Sequence, residues 1–209
     1  MTTTSGRIEA AEHAEQVRRQ ILEGAARAFA RSGFQATSVP EIARSAGVSV
    51  GLLYRYFASK AELFTAMCQS EMAAEQEALR ESLARIANPT ERLRHGVEHY
   101  LQLLGEPKGA PLILGALAEA PANAEVREVV RLRRKMLMEF IRGYLHAGRE
   151  AGEVAGDLDL ELCAEGIAVM LDGAVASWAA AGPDWDPART REALVALLAR
   201  ALQRPGSEG

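Results

Sequence analysis

"TSVPEIARSAGVSVGLLYRYFASKAELF", residues 37–64, is the stretch that decides the fold of this chain. Ser38 and Glu41 have the spacing of a capping box, which predicts that a short helix starts there. Gly47 can adopt the left-handed backbone conformation that ends a helix in a tight turn. Ser49 is placed to cap a second short helix directly after that turn. The stretch therefore predicts two short helices joined by a turn.

These two helices need apolar contacts because neither is long enough to be stable alone. The positions that can lock them to each other and to the preceding helix are Ile42, Ala43, Val48, Leu53 and Phe57. The pattern is typical of a helix-turn-helix, here about residues 38–57, whose second helix enters the major groove of DNA. A helical hairpin that only fills a core is the alternative interpretation.

Tyr54, Arg55 and Tyr56 follow one another in the second short helix. Helical neighbours do not share a face, so these three large side chains cannot all enter one core. If Leu53 and Phe57 point inward, the three lie over the outer surface, where tyrosine hydroxyls can donate to phosphate oxygens. Arginine also suits a bidentate contact with guanine. The pattern favours contact with DNA.

Lys60 lies in the first turn of the next predicted helix, which Ser59 and Glu62 begin as a second capping box. A cation is unfavourable at that end of a helix because of the helix dipole. We expect a DNA phosphate to offset this mismatch.

Charge is distributed unevenly along the 209 residues. The net charge is −4, and the apolar share of 48% and charged share of 25% are ordinary for a folded soluble protein. Residues 14–64 hold seven Lys or Arg against four Glu, a net charge of +3, whereas residues 65–209 hold 16 basic and 22 acidic residues, a net charge of −6. This asymmetry indicates a nucleic-acid partner, with chance variation over a short segment as the alternative.

Helix signals continue through the rest of the chain, and no strand-like alternation is present. The first helix is predicted over about 14–32, ended by Gly33, and the fourth over about 59–86. Asn88-Pro89 and Asp186-Pro187 mark two later helix starts. Other helices are predicted around residues 93–104, 111–120, 124–151 and 160–181. The predicted fold class is all-α, with about nine helices: a three-helix N-terminal head and a larger C-terminal helical domain.

Cysteine use and hydropathy bear on the compartment. Cys68 and Cys163 are far apart and form no CxxC pair, which favours a reducing compartment. Residues 1–16 lack the apolar core of a signal peptide. Residues 167–181 are the most apolar stretch, but Asp172 interrupts them, so no membrane span is predicted. We expect a cytoplasmic protein with no membrane partner.

Residues 37–64 closely resemble the DNA-binding domain of TetR-family transcriptional regulators, and "ILEGAARAFARSGF", residues 21–34, fits the same pattern. The resemblance covers about residues 14–74 and implies that 75–209 form an effector-binding and dimerisation domain. It implies a homodimeric repressor whose two heads bind successive major grooves of a palindromic operator, and a small-molecule effector that releases it. The residues at matching positions for DNA contact are Ser38, Ser49, Val50, Gly51, Leu52, Tyr54, Arg55, Tyr56 and Lys60.

The chain departs from the family pattern at three positions. Family members often have a polar or basic residue at Val50 and threonine at Leu52, and Pro40 stands where a base-reading side chain can occur. Direct base readout is therefore expected mostly from Arg55, with Val50 and Leu52 limited to apolar contacts such as thymine methyls. We therefore expect DNA binding to depend more on DNA shape and on phosphate contacts than is usual in the family.

The C-terminal part resembles the betaine-repressor-like branch of the same family more loosely. The matching segments are 117–141, "LAEAPANAEVREVVRLRRKMLMEFI", and 157–178, "DLDLELCAEGIAVMLDGAVASW"; they do not identify betaine or choline as the ligand. The helix over 160–181 is apolar almost all round and, with the last helix, suits a four-helix bundle around a two-fold axis. A helix buried centrally in a monomer is the alternative. The predicted dimer-interface residues are Leu171, Val175, Trp178, Leu194, Leu197 and Leu198.

An effector pocket is expected among the fourth to eighth helices. The predicted lining residues, each of which also suits ordinary core packing, are Met67, Leu101, Leu104, Leu114, Leu117, Phe140, Tyr144 and Met170. This apolar set favours a lipophilic or weakly polar effector. "RLRRK", residues 131–135, is interpreted as a solvated helix face, with anion sensing as the alternative.

His95-Gly96-Val97-Glu98-His99 matches the H-x-x-E-H signature of zinc hydrolases. Two histidines one helical turn apart can share a metal, with the glutamate as base. A third ligand would have to come from elsewhere, such as Glu161 or Glu165. Because the glycine weakens this helix and no second motif follows, a plain helix surface is preferred. We predict no enzyme activity, no cofactor and no metal site; the zinc hydrolase and a ligand-binding helical protein with a vestigial head remain alternatives.

Overall fold

A computed structural model of the chain describes residues 3–106 and 108–202. Within these residues the chain is helical, and the prediction of an all-α fold is confirmed. A single 3₁₀ turn, Gly182–Asp184, precedes the last helix. The nine α-helices are α1 (Thr3–Ala36), α2 (Val39–Ala46), α3 (Val50–Tyr56), α4 (Lys60–Leu83), α5 (Pro89–Gly105), α6 (Gly109–Glu119), α7 (Ala124–Glu150), α8 (Leu160–Ala181) and α9 (Pro187–Leu202).

The chain divides into two compact units. The first, called the head unit below, combines the chain up to Met72 with Pro111–Val130. The second, called the body unit, combines Ala73–Ala110 with the chain from Arg131 onward. The functional division predicted between residues 74 and 75 stays a prediction, and its last residues, 203–209, lie outside the described residues.

The head unit is built on a close crossing of α1 and α2. A methyl group added at Gly24 would lie 2.5 Å from the Cα of Ala46, so the two helices meet backbone to backbone. Ile21 and Ala25 are fully buried beside this crossing. Next to it, Phe29, Phe34 and Phe64 form a cluster with ring centroids 4.9–5.7 Å apart. This aromatic cluster joins the end of α1 to α4.

The caps predicted for α2 and α3 are present. Ser38 and Glu41 exchange hydrogen bonds as a capping box, and Gly47 ends α2 in the left-handed conformation, with φ 68° and ψ 30°. The side chain of Ser49 caps α3 by accepting a hydrogen bond from the backbone N–H of Leu52. The chain therefore forms the predicted helix-turn-helix.

Two predicted boundaries were wrong. Helix α1 begins at Thr3 rather than near residue 14, because residues 7–12 are mostly good helix formers but have little apolar periodicity to indicate a helix. Helix α4 ends at Leu83, three residues before the predicted end. At Gly33 the backbone leaves the helical conformation, with φ 72° and ψ 171°, at the predicted terminator.

In the body unit, α5 and α7 pack antiparallel. A Cβ at Gly148 would contact Thr90, while a Cβ at Gly96 would overlap the ring of Phe140. Thr90 near the start of α5 thus lies beside Gly148 near the end of α7, and Gly96 lies beside Phe140, so the two helices run in opposite directions. Leu101 and Leu104 of α5 and Ile141 and Leu145 of α7 are buried. Helix α5 also contacts α8 and α9.

Helix α8 is long and apolar enough, by length and composition alone, to cross a membrane. Leu160, Ile167, Leu171 and Val175 are buried within the chain, and exposed carboxylates of the same helix pair with arginines of α7. These contacts are those of a core helix in a helical domain.

Replacing Gly24 by Ala should lower the free energy of unfolding by about 1–3 kcal/mol, because the added methyl group would force the α1 and α2 backbones apart. Urea unfolding of wild type and variant at one protein concentration would measure this. The matched control is Gly51→Ala on α3, where a Cβ would meet open space. That control should gain about 0.5–1 kcal/mol from the loss of a helical glycine. Equal stabilities for the two variants would contradict the close crossing.

Candidate functional site

The outer face of α3 presents most of the residues predicted to contact DNA. Tyr54 and Val50 are 51% and 37% exposed, and Arg55 is exposed beside them. Leu53 faces inward and is buried, as the sequence predicted, and Phe57 is buried just after the helix. The predicted residues that share the outer face or its edges are Ser49, Val50, Gly51, Leu52, Tyr54, Arg55 and Tyr56, of which Leu52 and Tyr56 are half-buried.

Ser38 and Ser49 differ in what their hydroxyl groups can offer a phosphate. The hydroxyl of Ser38 donates to Glu41 Oε2 at 2.8 Å, which uses its only proton. The backbone N–H of Ser38 donates to the same carboxylate, and these hydrogen bonds lower the pKa of the Glu41 carboxyl. The Ser49 hydroxyl accepts from the N–H of Leu52 at 3.1 Å, so its proton stays available. Ser49 is therefore the better phosphate donor.

Gly51 lies in the first turn of α3, and the protein itself gives no reason for a glycine there. A Cβ at this position would meet no atom of the chain within 4 Å. A glycine inside a helix costs roughly 0.5–1 kcal/mol relative to alanine. The missing side chain makes room on the outer face, where a ligand backbone could approach closely.

Lys60 has other partners than the phosphate we expected. Its ammonium donates to the carbonyls of Phe34, Thr37 and Gln35 at 2.9, 3.2 and 3.5 Å. It also lies 4.4 Å from the centroid of the Phe34 ring. The three ammonium protons are thus directed at carbonyls that follow the break in α1. The mismatch of a cation with the start of α4 is offset inside the head unit, because these carbonyls carry the complementary partial charge.

Two further residues that the sequence analysis missed hold α2 in place. Gln20 Nε2 donates to the carbonyl of Ala46 at 2.7 Å, and Arg27 Nη2 donates to the carbonyl of Ser45 at 2.7 Å. Both carbonyls lie at the C-terminal end of α2, where backbone acceptors are left over. The sequence signal that could have indicated these contacts is the seven-residue spacing of Gln20 and Arg27, which places both on one side of α1.

A buried carboxylate also belongs to the head unit. Glu119, the last residue of α6, is only 7% exposed and accepts a hydrogen bond from Gln35 Nε2 at 2.5 Å. Gln35 follows the break in α1 and comes three residues before the cap of α2. Arg127 donates to the carbonyls of Ala120 and Pro121 just beyond α6. The end of α6 is thereby tied to the helix-turn-helix.

The predicted pocket residues are distributed over both units. Met67, Leu114 and Leu117 belong to the head unit, and Leu117 is largely exposed. Leu101 and Leu104 are fully buried in the body unit, and Met170 is half-buried there. Phe140 and Tyr144 pack edge to face with centroids 4.8 Å apart. Gly96 lets the Phe140 ring lie against the α5 backbone, which explains the glycine inside the H-x-x-E-H match.

The predicted dimer-interface residues fall into two groups. Leu171, Val175 and Leu198 are buried within a single chain, which removes them from any surface that a partner could contact. This part of the prediction is corrected: an all-round apolar pattern does not tell a core face from a partner face. Trp178 and Leu194 are half-buried, and Leu197 is 59% exposed.

Small and apolar residues instead form an exposed stripe along α8, spaced alternately by four and three residues. Leu162 and Val169 are 71% and 57% exposed, and a Cβ at Gly166 or Gly173 would meet open space. The members of this stripe are Leu162, Gly166, Val169, Gly173, Ala176 and Ala180. Such spacing keeps all six on one side of a helix, where a second helix can approach.

The H-x-x-E-H segment offers little to a metal. His95 Nε2 lies 3.1 Å from Ser82 Oγ, and Glu98 pairs with Arg94 at 2.6 Å. The buried Nε2 of His99 has no hydrogen-bond partner in the described part of the chain, and burial lowers the pKa of its imidazole. Among the described residues, no group of three or more His, Cys, Asp and Glu side chains lies close enough together to hold a metal ion.

Comparison with known proteins follows the same division of the chain. Residues 21–67 match the family model described as bacterial regulatory proteins, tetR family, and residues 89–203 match the C-terminal domain of BetI-type transcriptional repressors. The fatty acid metabolism regulator protein of Bacillus subtilis is 25% identical over 179 residues, which cover 86% of this chain and 92% of that protein.

Solved structures show the same fold. The transcriptional regulator FadR from Bacillus subtilis in complex with stearoyl-CoA has a TM-score of 0.76 at 25% identity, covering 88% of this chain and 99% of that one. A protein from Saccharomonospora viridis in complex with choline has a TM-score of 0.83 at 22% identity, covering 91% of this chain and 100% of that one.

Acidification should destabilise the fold through His99. Burial and the neighbouring charge of His95 lower the pKa of His99 below its usual 6.5, so the unfolded chain binds the proton more readily. The stability contributed by the neutral imidazole is present above about pH 6.5 and is lost as the pH falls through the folded-state pKa. Thermal unfolding between pH 7.5 and 5 should show a shallower pH dependence for His99→Gln than for wild type.

The matched control is His146→Gln, the same substitution at an exposed histidine of the body unit. It tests whether the loss of any histidine changes the pH dependence. An unchanged dependence in His99→Gln would place its source in other groups.

Proposed function

The chain belongs to the TetR family of bacterial regulatory proteins, with a BetI-type C-terminal domain, and from this premise we propose that it is a homodimeric repressor that a small-molecule effector releases from a palindromic operator. TetR-family proteins are transcription regulators and not enzymes, which decides against the zinc hydrolase suggested by the H-x-x-E-H match. Such a regulator acts on DNA, and we place it in the cytoplasm.

The outer face of α3 is the observation that carries this proposal. It combines an exposed arginine, two tyrosines and the free proton of Ser49 with a glycine that the protein's own packing does not need. A duplex in contact with this face would approach closest at Gly51, and Arg55 would be free for a guanine edge. Ser38 and Lys60 would support the interface by holding α2 and α4 in place. The alternative, a ligand-binding protein whose head no longer binds DNA, does not explain why the outer face of α3 has these exposed residues and an unneeded glycine.

The homodimer would form on the exposed stripe of α8 together with Leu197 of α9. Two glycines and two alanines along the stripe let a second α8 come close, and Leu162 and Val169 supply apolar area. Four helices, two from each chain, would then pack around the two-fold axis. Such a dimer would hold two heads at a fixed spacing, as a palindromic operator with half-sites roughly 34–36 Å apart requires.

Replacing Val169 by Asp should convert the dimer to a monomer, because the carboxylate would be buried between two helices without a partner. Sedimentation equilibrium over a range of protein concentrations would measure the change. Leu132→Asp is the matched control, since Leu132 is an exposed apolar residue of α7 that does not belong to the stripe. A dimer that survives Val169→Asp but not Leu132→Asp would move the interface to α7.

The effector is proposed to be a lipophilic compound with a long acyl chain. The core of the body unit consists of apolar and aromatic residues, such as Leu101, Leu104 and Phe140. The fatty acid metabolism regulator protein of Bacillus subtilis is similar in sequence to this chain, and FadR from Bacillus subtilis, which is similar in structure, was solved with stearoyl-CoA. Choline, the ligand of the Saccharomonospora viridis protein, would need a cage of open aromatic faces. In this chain Phe140 and Tyr144 pack against each other instead.

Release would follow from a shift between two populations of the repressor. The effector would favour a state whose head spacing no longer fits successive major grooves. Within the head unit, the bond between Glu119 and Gln35 would pass a displacement of α6 to the helix-turn-helix. A buried carboxylate held by one amide suits this role, because its acceptor cannot be left unpaired without a cost of about 1–3 kcal/mol.

Fluorescence anisotropy against DNA flanking the gene, with scrambled competitor and a salt series, tests the proposal. We expect saturable binding that survives competitor, falls steeply with salt and is reversed by stearoyl-CoA. Arg55→Ala should cost about 1–3 kcal/mol and relax specificity at one base step. Gly51→Ala should weaken DNA binding even though it stabilises α3.

The charge-matched control is Arg80→Ala, an exposed arginine of α4 paired with Glu77. A loss with Arg55→Ala that is equal on all sequences would make Arg55 a phosphate contact. Binding no tighter than to scrambled DNA, followed by failure of a selection from random sequences, would leave the head without a DNA partner. Persistent operator binding in stearoyl-CoA would reject the acyl effector alone.

A further inference from the structure

Arg133 is the least solvated of the five residues in "RLRRK", the segment first interpreted as a solvated helix face. Its side chain is 24% exposed, and Nη1 lies 3.2 Å from Oε2 of Glu75 on α4, whose side chain is 27% exposed. The guanidinium also lies 5.5 Å from the centroid of the Tyr100 ring on α5. Arg134 beside it pairs with Glu165 and Asp172 of α8. The segment thus joins three helices of the body unit to α7.

This arrangement is costly for a purely structural contact. Partly burying an ion pair removes water from both charges, and apolar residues of the same volume often stabilise a fold equally well. Arg133 makes one 3.2 Å contact with Glu75, at the long end of the hydrogen-bond range and not bidentate, and a further hydrogen bond with the Tyr100 side chain. Two contacts do not use all five N–H donors of a guanidinium. Arg133 therefore keeps guanidinium donors that a planar oxyanion could engage better than Glu75 does.

Apolar surface lies along the same seam between α5 and α7. Tyr100 and Gly96 occupy the same side of α5, one turn apart, and Phe140 packs on Gly96. Tyr144, one turn further along α7, packs edge to face against Phe140. The seam thus has a charged end at Arg133 and an aromatic end at Phe140 and Tyr144, which matches a molecule with an anionic head and an apolar tail.

We propose that Arg133, with the Tyr100 hydroxyl, binds the oxyanion of a long-chain acyl effector in exchange for Glu75. The inference rests on the proposed function and names the head group that the effector carries. A cationic head fits less well, because Arg133 already covers Tyr100 and would repel it. The exchange breaks the ion pair between Arg133 and Glu75 of α4. Ligand binding would thereby remove one of the contacts between α4 and α7.

Titration calorimetry of the full chain with three probes of equal chain length tests this exchange. The probes are stearate, stearoyl-CoA and uncharged octadecanol, each delivered from cyclodextrin. Wild type should bind at least one anionic probe about tenfold or more tightly than octadecanol. Arg133→Gln should weaken that anion by about 10–100-fold and leave octadecanol unchanged, since charge-assisted hydrogen bonds to the guanidinium are lost. Glu75→Gln should strengthen the anion, because the competing carboxylate is gone.

Arg133→Gln removes the cation that pairs with Glu75, so the double variant Glu75→Gln/Arg133→Gln provides a neutral pair that should fold and still bind the anion weakly. Arg142→Gln is the matched control on the same helix, where Arg142 pairs with Glu161 instead. It should keep the wild-type affinity for all three probes. A loss confined to stearate would identify the carboxylate as the head group, and a loss confined to stearoyl-CoA would identify the phosphates.

Equal anion affinity in wild type and the double variant would overturn the inference and leave the acyl effector standing. Octadecanol bound as tightly as the anions would also overturn it. If wild type binds none of the three probes, the inference falls together with the acyl effector, while DNA binding is tested separately by anisotropy.

Discussion

The approach of α1 to α2 at Gly24 fixes the rest of the head unit. With only 2.5 Å between the position of a Gly24 Cβ and the Cα of Ala46, the backbone of α2 cannot shift without losing the contact. Gln20 and Arg27 hold the end of α2 from the same side of α1. Gly47 then turns the chain into α3, so the direction of the candidate recognition helix follows from the crossing. The outer face of α3 needs little support of its own, because the position of α3 is already fixed by the crossing of α1 and α2.

Much of this architecture can be predicted from the sequence, because capping residues mark where the helices begin and end. Ser38, Ser49 and Asn88 cap helices at the predicted positions, and Leu160–Ala181 has the predicted bounds. Capping depends on contacts within four residues, which a linear reading contains. The early start of α1 was missed because exposed residues without apolar periodicity carry no such signal. The outer face of α3 could be predicted because apolar residues are present there: Leu53 and Phe57 show which side of the helix is buried.

The sequence could not supply contacts between residues distant in the chain. Lys60 was assigned to a DNA phosphate from the helix dipole and the family resemblance, and this contact stays a prediction; only the fold brings the carbonyls of Phe34 and Thr37 to its ammonium. Leu171 and Val175 were assigned to a dimer because α8 is apolar nearly all round, and only packing tells which side is already covered. The same holds for Gly96, which weakens a helix in isolation but admits the Phe140 ring in the folded chain.

Polar groups are placed differently in the two units, and this difference bears on function. In the helix-turn-helix, side chains such as Ser38, Gln20 and Lys60 satisfy backbone groups nearby, which stabilises the fold and leaves the outer face of α3 open. In the body unit, Arg133 instead pairs with the carboxylate of Glu75 and contacts Tyr100, so its partners are side chains of other helices. An ion pair that apolar residues could replace without loss of stability is the more informative about function, because stability alone does not explain its presence. By that criterion the ion pair of Arg133, and not the apolar residues around it, is the feature from which we infer the class of effector.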